Sequence, residues 1–253
     1  MKSSFPLTVL SDREKWKWIS GEENSMLNIE NVSCSFGKQE ILHNVSLEIP
    51  KGEITAIVGP SGCGKTTLLK TCNRMVEEEG GTWDGAICLE ETDIRSLSKE
   101  QLRTRVGMVF QQPVAFPHSI EKNLSYVLNY HGVRDRRQRE EKIRDCLTKA
   151  GLYEEVKDHM KMSAQKLSGG QKQRLAIAQS LCVNPQVLLL DEPCSALDQN
   201  NTLGIERTLL DLKGAYTFVI VTHNLEQADR IADHIVHMEA GRITDIYDAK
   251  FYK

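Results

Sequence analysis

The run Gly59, Pro60, Ser61, Gly62, Cys63, Gly64, Lys65, Thr66 fits G-x-x-x-x-G-K-[ST] and lies between an apolar stretch and a helical one. Glycines at these places let the backbone curl so that successive N–H groups converge on phosphate oxygens. A helix starting at the loop adds the partial positive charge of its N-terminus. Lys65 has the reach to neutralise β- and γ-phosphates, the Thr66 hydroxyl suits a Mg²⁺ ion, and Thr67 follows in the same turn. Further along, Val187-Leu188-Leu189-Leu190 ends in Asp191 and Glu192. In a parallel sheet ligands collect at the carboxyl ends of strands, so these acids should stand beside the phosphate loop. Asp191 then suits Mg²⁺, directly or from the second shell of ligands, and Glu192 suits orienting or deprotonating an attacking water. Nucleotide kinases, GTPases and helicases all remain open on these two elements.

The segment Leu167-Ser168-Gly169-Gly170-Gln171, followed by Lys172-Gln173-Arg174-Leu175, narrows the choice. Two glycines at a helix start expose backbone donors and Ser168 adds a hydroxyl, which makes a second anion-binding helix N-terminus. One chain thus carries two phosphate-binding ends but only one complete nucleotide site. A dimer in which Ser168, Gly169, Gly170 and Gln171 close on the nucleotide of the opposite chain accounts for both.

The elements that must position these groups follow from hydrophobic period. Short β-branched and apolar runs at residues 27–34, 45–49, 54–58 and 106–110 read as strands. The third is continuously apolar, as expected of a strand buried on both faces. A helix should open at the glycine-rich loop and run through Leu68, Leu69 and Cys72 toward Met75. Residues 119–156 read as helical, and their densely charged stretch at 134–145 as a solvated helix face. Two further apolar runs, at residues 187–190 and 218–221, each lead into a helical segment. Strands alternating with helices imply an α/β fold with a mostly parallel sheet, and the helical middle is an insertion into it. Residues 1–26, with Phe5, Trp16 and Trp18, carry no sustained period and read as an irregular extension.

Composition excludes several classes. A chain of 253 residues can bury a substantial core, and 40% apolar with 26% charged residues is ordinary globular usage. Lys plus Arg number 32 against 35 Asp plus Glu, a net charge of -3, so the basic excess of a nucleic-acid binder is absent. Seven scattered cysteines include no C-x-x-C pair, which fits a reducing compartment. No window holds the ~20 consecutive apolar residues of a membrane span, and no signal-peptide pattern opens the chain. The expectation is a cytoplasmic protein that reaches a membrane only through partners.

With LSGGQ lying between the phosphate loop and the LLLDE strand, the chain resembles the ATP-binding subunits of ABC transporters over about residues 27–246. The resemblance implies a P-loop NTPase core, an antiparallel β subdomain on its N-terminal side, and a helical subdomain at about residues 112–183, within one ABC-type domain at 27–253. It also implies roles for residues that spacing alone leaves unread. Phe36 resembles the aromatic that stacks on adenine, and Gln111 the glutamine that senses Mg²⁺ and the γ-phosphate. Asp198, in Ser195-Ala196-Leu197-Asp198, resembles the loop that crosses the dimer interface, and His223 the switch histidine at the γ-phosphate. ATP with Mg²⁺ would be held between two copies of the chain. Hydrolysis would rest on Lys65, Gln111, Glu192 and His223 and would drive two integral-membrane permease subunits, with a solute-binding protein engaged indirectly.

Cys72-Asn73-Arg74-Met75, Phe110-Gln111-Gln112-Pro113, Tyr130-His131-Gly132 and Val221-Thr222-His223-Asn224 resemble the phosphate-import branch. Another small anion or an amino acid is the alternative cargo. A non-transport ATPase of the same superfamily is the rival class, but the fused second domain or long coiled coil of such clamps is missing. The chain departs from the family pattern at Cys194, where Thr is common, and at Gln179-Ser180, in place of Arg-Ala. Neither change removes a group assigned to catalysis.

Overall fold

The computed structural model of the chain describes residues 24–249. Most of the expected extension over residues 1–26, including Phe5, Trp16 and Trp18, lies outside the described residues, as do residues 250–253.

Two long strands, β1 (Ser25–Phe36) and β2 (Gln39–Pro50), pair antiparallel across a tight turn. Sequence patterning had marked only their most apolar segments. β4 (Gly81–Leu89) joins the other edge of β1 and β5 (Thr92–Asp93) completes a four-stranded sheet in the order β2-β1-β4-β5. The second sheet has six strands in the order β10-β9-β3-β8-β7-β6. Within it β3 (Ile54–Val58), β6 (Val106–Val109), β7 (Val187–Asp191), β8 (Thr217–Thr222) and β9 (His234–Glu239) pair in parallel. Only β10 (Arg242–Asp248) runs antiparallel, against β9.

Every residue of β3, β7 and β8 is buried, and the period of two sends alternate side chains to opposite layers. Val187 and Leu189 join one apolar cluster with Leu27, Leu47 and Ile87 of the antiparallel sheet. Leu188 and Leu190 join the other, with Leu124, Leu147, Ile177 and Ile205. That second cluster is roofed by the helices inserted between β6 and β7, namely α3 (Ile120–Tyr130), α4 (Arg136–Lys149), α5 (Tyr153–Val156) and α6 (Gly169–Leu181). After β7, α7 (Gln199–Leu212) and α8 (Leu225–Ile231) pack on the same side, whereas α1 (Lys65–Cys72) and α2 (Lys99–Arg105) lie with the antiparallel sheet.

Two boundaries differ from those expected. α1 stops at Cys72, short of Met75, because Arg74 takes a left-handed φ of 58° that no helix continues. The Arg74 guanidinium donates to both carboxylate oxygens of Glu77, at 2.8 and 3.1 Å, and this pairing holds the turn. β6 ends at Val109, which leaves Phe110 outside the strand and 40% exposed. Because β3, β6, β7 and β8 are parallel, the residues just past their carboxyl ends gather along one edge of the sheet. Those residues are the phosphate loop, Gln111, Glu192 and His223.

Candidate nucleotide site

At the end of β3 the loop of residues 59–66 turns into α1 through Gly64, whose φ of 105° is left-handed. A Cβ there would lie 2.9 Å from Leu42 Cδ2, so both backbone and space require glycine. Gly64 provides no side-chain cap, and the first turn of α1 carries no acid. Its initial N–H groups, which a helix cannot satisfy internally, are therefore presented to an anion without a competing carboxylate. Lys65 is buried, and its Nζ donates to the carbonyls of Gly59 at 2.8 Å and Pro60 at 2.9 Å, which fixes the loop around the charge. Cys63 is buried behind the loop, its Sγ 3.8 Å from that same Nζ.

The two acids at the end of β7 do different things. Asp191 is buried and accepts a 2.9 Å hydrogen bond from Thr66 Oγ1. Burial pushes its carboxyl above the usual range, the Thr66 hydroxyl opposes that shift, and neighbouring Glu192 adds to it. Glu192 stands just beyond the strand with a left-handed φ of 43°, held there by its N–H to Val221 O at 3.0 Å. A non-glycine residue in that conformation stores strain, and here the strain turns the carboxylate out of the sheet toward the loop. Gln111 Nε2 donates to Glu192 Oε2 at 3.1 Å and to Ser195 Oγ at 3.2 Å. His223 Nδ1 lies 3.3 Å from the same Glu192 oxygen. The amide just past β6 and the imidazole just past β8 thus meet one carboxylate oxygen of the residue just past β7.

A cavity of about 460 Å³ opens beside Gln111 and Glu192, lined by these two with Ser61, Gly62, Gly64, Lys65, Thr66, Thr67 and Ile41; His223 lines a neighbouring cavity that shares Glu192. Ile41 was not singled out in the sequence, where it is one apolar residue in the alternation of β2. Phe36 does not line this cavity; it is half-buried and packs against the apolar cluster of the antiparallel sheet. Among the described residues no group of three or more His, Cys, Asp or Glu could hold a metal by itself. The pair of Thr66 hydroxyl and Asp191 carboxylate suits Mg²⁺, which keeps few protein ligands and completes its shell with phosphate oxygens and water.

Ser168, Gly169, Gly170, Gln171 and Asp198 do not line the cavity. Ser168 is the N-cap of α6, accepting from Gln171 N at 3.3 Å while Gln171 Oε1 accepts from Ser168 N at 3.0 Å. This capping box leaves the helix start exposed and rigid. Gly170 has a reason that sequence reading missed: a Cβ on it would fall 2.2 Å from Asn201 Oδ1 of α7. Asn201 is held in turn by Asp198, whose carboxylate accepts from Asn201 N at 3.0 Å and Nδ2 at 2.6 Å. Those bonds from Asn201 keep the Asp198 carboxyl below its usual range. The start of α6 and the loop containing Asp198 are therefore keyed together within one chain.

The ABC transporter family matches over residues 42–195. "Phosphate import ATP-binding protein PstB 1" of Vibrio parahaemolyticus is 45% identical over 231 residues, covering 90% of this chain and 85% of that protein. "Phosphate import ATP-binding protein PstB 3" of Streptococcus pneumoniae is 46% identical over 224 residues, covering 87% of this chain and 90% of that protein. Among solved structures, cbiO1 from Clostridium perfringens, part of the ABC transporter complex cbiONQ, superposes with a TM-score of 0.80. It is 27% identical and 91% of each chain is covered. A dimeric ATP-binding cassette in a post-hydrolysis state, bound to ADP and Pi, superposes with a TM-score of 0.76 at 30% identity, covering 88% of this chain and 99% of that one.

Proposed function

The chain belongs to the ABC transporter ATPase family, and from that premise we propose that it is the ATP-hydrolysing subunit of an importer of inorganic phosphate. The observation that carries the cargo is the identity of 45–46% over most of the chain to proteins named for phosphate import. The site supports the chemistry. Lys65 and the uncapped start of α1 neutralise the phosphates. Thr66 and Asp191, with Gln111, would hold Mg²⁺, which when bound offsets charge on the β- and γ-phosphate oxygens. Glu192 orients the attacking water and accepts its proton, and Gln111 and His223 hold its carboxylate in place.

In this reading two copies sandwich two ATP molecules, each between the 59–66 loop of one chain and Ser168 to Gln171 of the other. Asp198 borders the seam and Phe36 meets the adenine. Loss of the γ-phosphate on hydrolysis opens the dimer. Two integral-membrane permeases take up that motion, and a solute-binding protein acts on them from the other side. The permeases meet the surface beside Gln111, where Val114, Phe116, Tyr126 and Tyr130 are 42–72% exposed, a cluster of large apolar side chains of the kind that marks interaction sites. No described helix is long and apolar enough to cross a membrane, and in this reading the permeases hold the chain at the inner face.

The test is reconstitution of the chain with its permeases in vesicles, reading ATP hydrolysis against loaded solute-binding proteins. Stimulation by a phosphate-loaded binding protein is expected. Stimulation by an amino-acid-loaded one instead would reassign the cargo, and ATP hydrolysis indifferent to the permeases would remove the transport role.

A further inference from the structure

A buried polar frame lies behind His223 and outside the residues assigned to the reaction. Thr222, the last residue of β8, is buried, and its Oγ1 accepts from Asn224 N at 3.1 Å while donating to Gln227 Oε1 at 3.0 Å. Asn224 closes the ring by accepting from Gln227 N at 3.0 Å as the N-cap of α8. The residues on both sides of His223 thereby meet at the Thr222 hydroxyl, which is anchored to the side chain of Gln227, 3% exposed. The His223 imidazole itself is 56% exposed and reaches Glu192 Oε2 at 3.3 Å. Its placement against Glu192 must come from its backbone.

Gln227 is fixed from behind. Its Nε2 donates to Glu206 Oε1 of α7 at 3.3 Å, and buried Glu206 is charge-paired with both arms of the Arg230 guanidinium, at 2.9 and 2.7 Å. Burial pushes the Cys194 thiol up to about 11, and the nearby Gln227 amide offsets part of that, so the frame borders the segment that follows Glu192 as well. Every polar group of the Gln227 amide is thus engaged, in an interior where a lost partner is expensive.

We propose that Gln227 is a positioning residue for hydrolysis, setting the distance from His223 to Glu192 through its side-chain bond to the Thr222 hydroxyl, which in turn holds Asn224 N. The inference rests on the assignment of His223 as the switch histidine. A displacement of about 1 Å at a reacting group is enough to slow chemistry on the order of 10²-fold, so a residue that touches neither nucleotide nor water can govern the rate.

The experiment is a cycle of Gln227→Leu and His223→Ala in the intact chain, reading kcat and KM for ATP. Gln227→Leu keeps the side chain's bulk and removes its bonds to Thr222 and Glu206, while the backbone N–H still caps α8 through Asn224. It is expected to lower kcat roughly tenfold or more, with KM moved less than about twofold, because binding groups are untouched. In the His223→Ala background the same substitution is expected to add no further loss, since the residue acts through the imidazole. An unchanged kcat in Gln227→Leu, or an equal loss in both backgrounds, overturns the positioning role alone. Wild-type turnover in His223→Ala overturns the switch assignment and this inference with it. Should Gln227→Leu not fold, Thr222→Val and Thr222→Ser make the same test. Valine removes the hydroxyl at equal size and should slow turnover, whereas serine keeps it and should restore the rate. Equal rates in the two variants overturn the proposal.

Discussion

The Thr66 hydroxyl donates a 2.9 Å hydrogen bond to Asp191 Oδ1, tying the first turn of α1 to the end of β7 across 125 positions of the chain. The bond orients a buried carboxylate whose desolvation favours the protonated form, and it does so at the position proposed for Mg²⁺. Replacing Thr66 with Val preserves size but leaves Asp191 without this partner. ATP hydrolysis by Thr66→Val is expected to need at least about 10- to 100-fold more Mg²⁺ for half-maximal rate, because the hydroxyl proposed to hold the ion is lost together with the bond that orients Asp191. Thr66→Ser should recover most of that loss. A Mg²⁺ titration of activity with an unchanged midpoint would separate Thr66 from the metal.

Glu192 differs from Asp191 in being turned out of the sheet and met at one oxygen by Gln111 and His223. Glu192→Gln preserves shape and size but has no carboxylate to take a proton from water. Turnover should fall by about 10²- to 10⁴-fold, the usual worth of a general base. ATP should still bind, so the variant is expected to accumulate as a nucleotide-bound dimer on size-exclusion chromatography. Rapid hydrolysis by this variant would take the base role away from Glu192.

How far these groups were legible in the sequence depends on whether their spacing is local. The phosphate loop, Asp191 and Glu192 declare themselves because strand, turn and helix start are contiguous, and β3 matches its expected bounds. Strands β4, β9 and β10 gave no comparable signal. Residues of β10 are all at least partly exposed, so its alternation is shallow, and β4 interleaves Thr82, Asp84 and glycines with its buried residues. The contact of Gly170 with Asn201 was hidden for another reason. It joins helices on either side of β7, and only the packed structure brings them together. Ile41 was missed likewise, since lining a cavity is a property of the folded edge and not of the strand pattern.

That contact has an energetic consequence. A Cβ at position 170 would overlap Asn201 Oδ1 at 2.2 Å, and swinging the Asn201 amide away would break its 2.6 Å bond from Nδ2 to Asp198. Gly170→Ala is expected to destabilise the chain by roughly 1–3 kcal/mol, the range for overpacking a filled site. For a chain of this size that is about 2–4 °C in Tm for each kcal/mol. Adding Asn201→Gly should remove the clash, so the double variant should be more stable than the sum of the single effects requires. Strict additivity in thermal denaturation would show that the two residues do not press on each other.

Acid should expose a different part of the fold. The Glu77 carboxylate accepts from Arg74 Nε and Nη2 and from Trp83 Nε1, and Lys99 Nζ lies 3.2 Å away. Arg74 first, then Trp83 and Lys99, pull its pKa down to about 2 against a smaller opposing effect of burial. An unfolded glutamate titrates near ~4.3, so the ionised form is favoured by folding. The resulting stability is fully present above about pH 5 and is lost as pH falls through the folded pKa toward 2. Because Glu77 is partly exposed, solvent screening reduces the effect at neutral pH to roughly 1 kcal/mol. Glu77→Gln should therefore be less stable than the parent at pH 7 by about that amount, and the gap should narrow steadily in urea denaturation curves taken between pH 5 and 3. A gap that stays constant over this range would mean that the Arg74 turn is held by shape and not by charge.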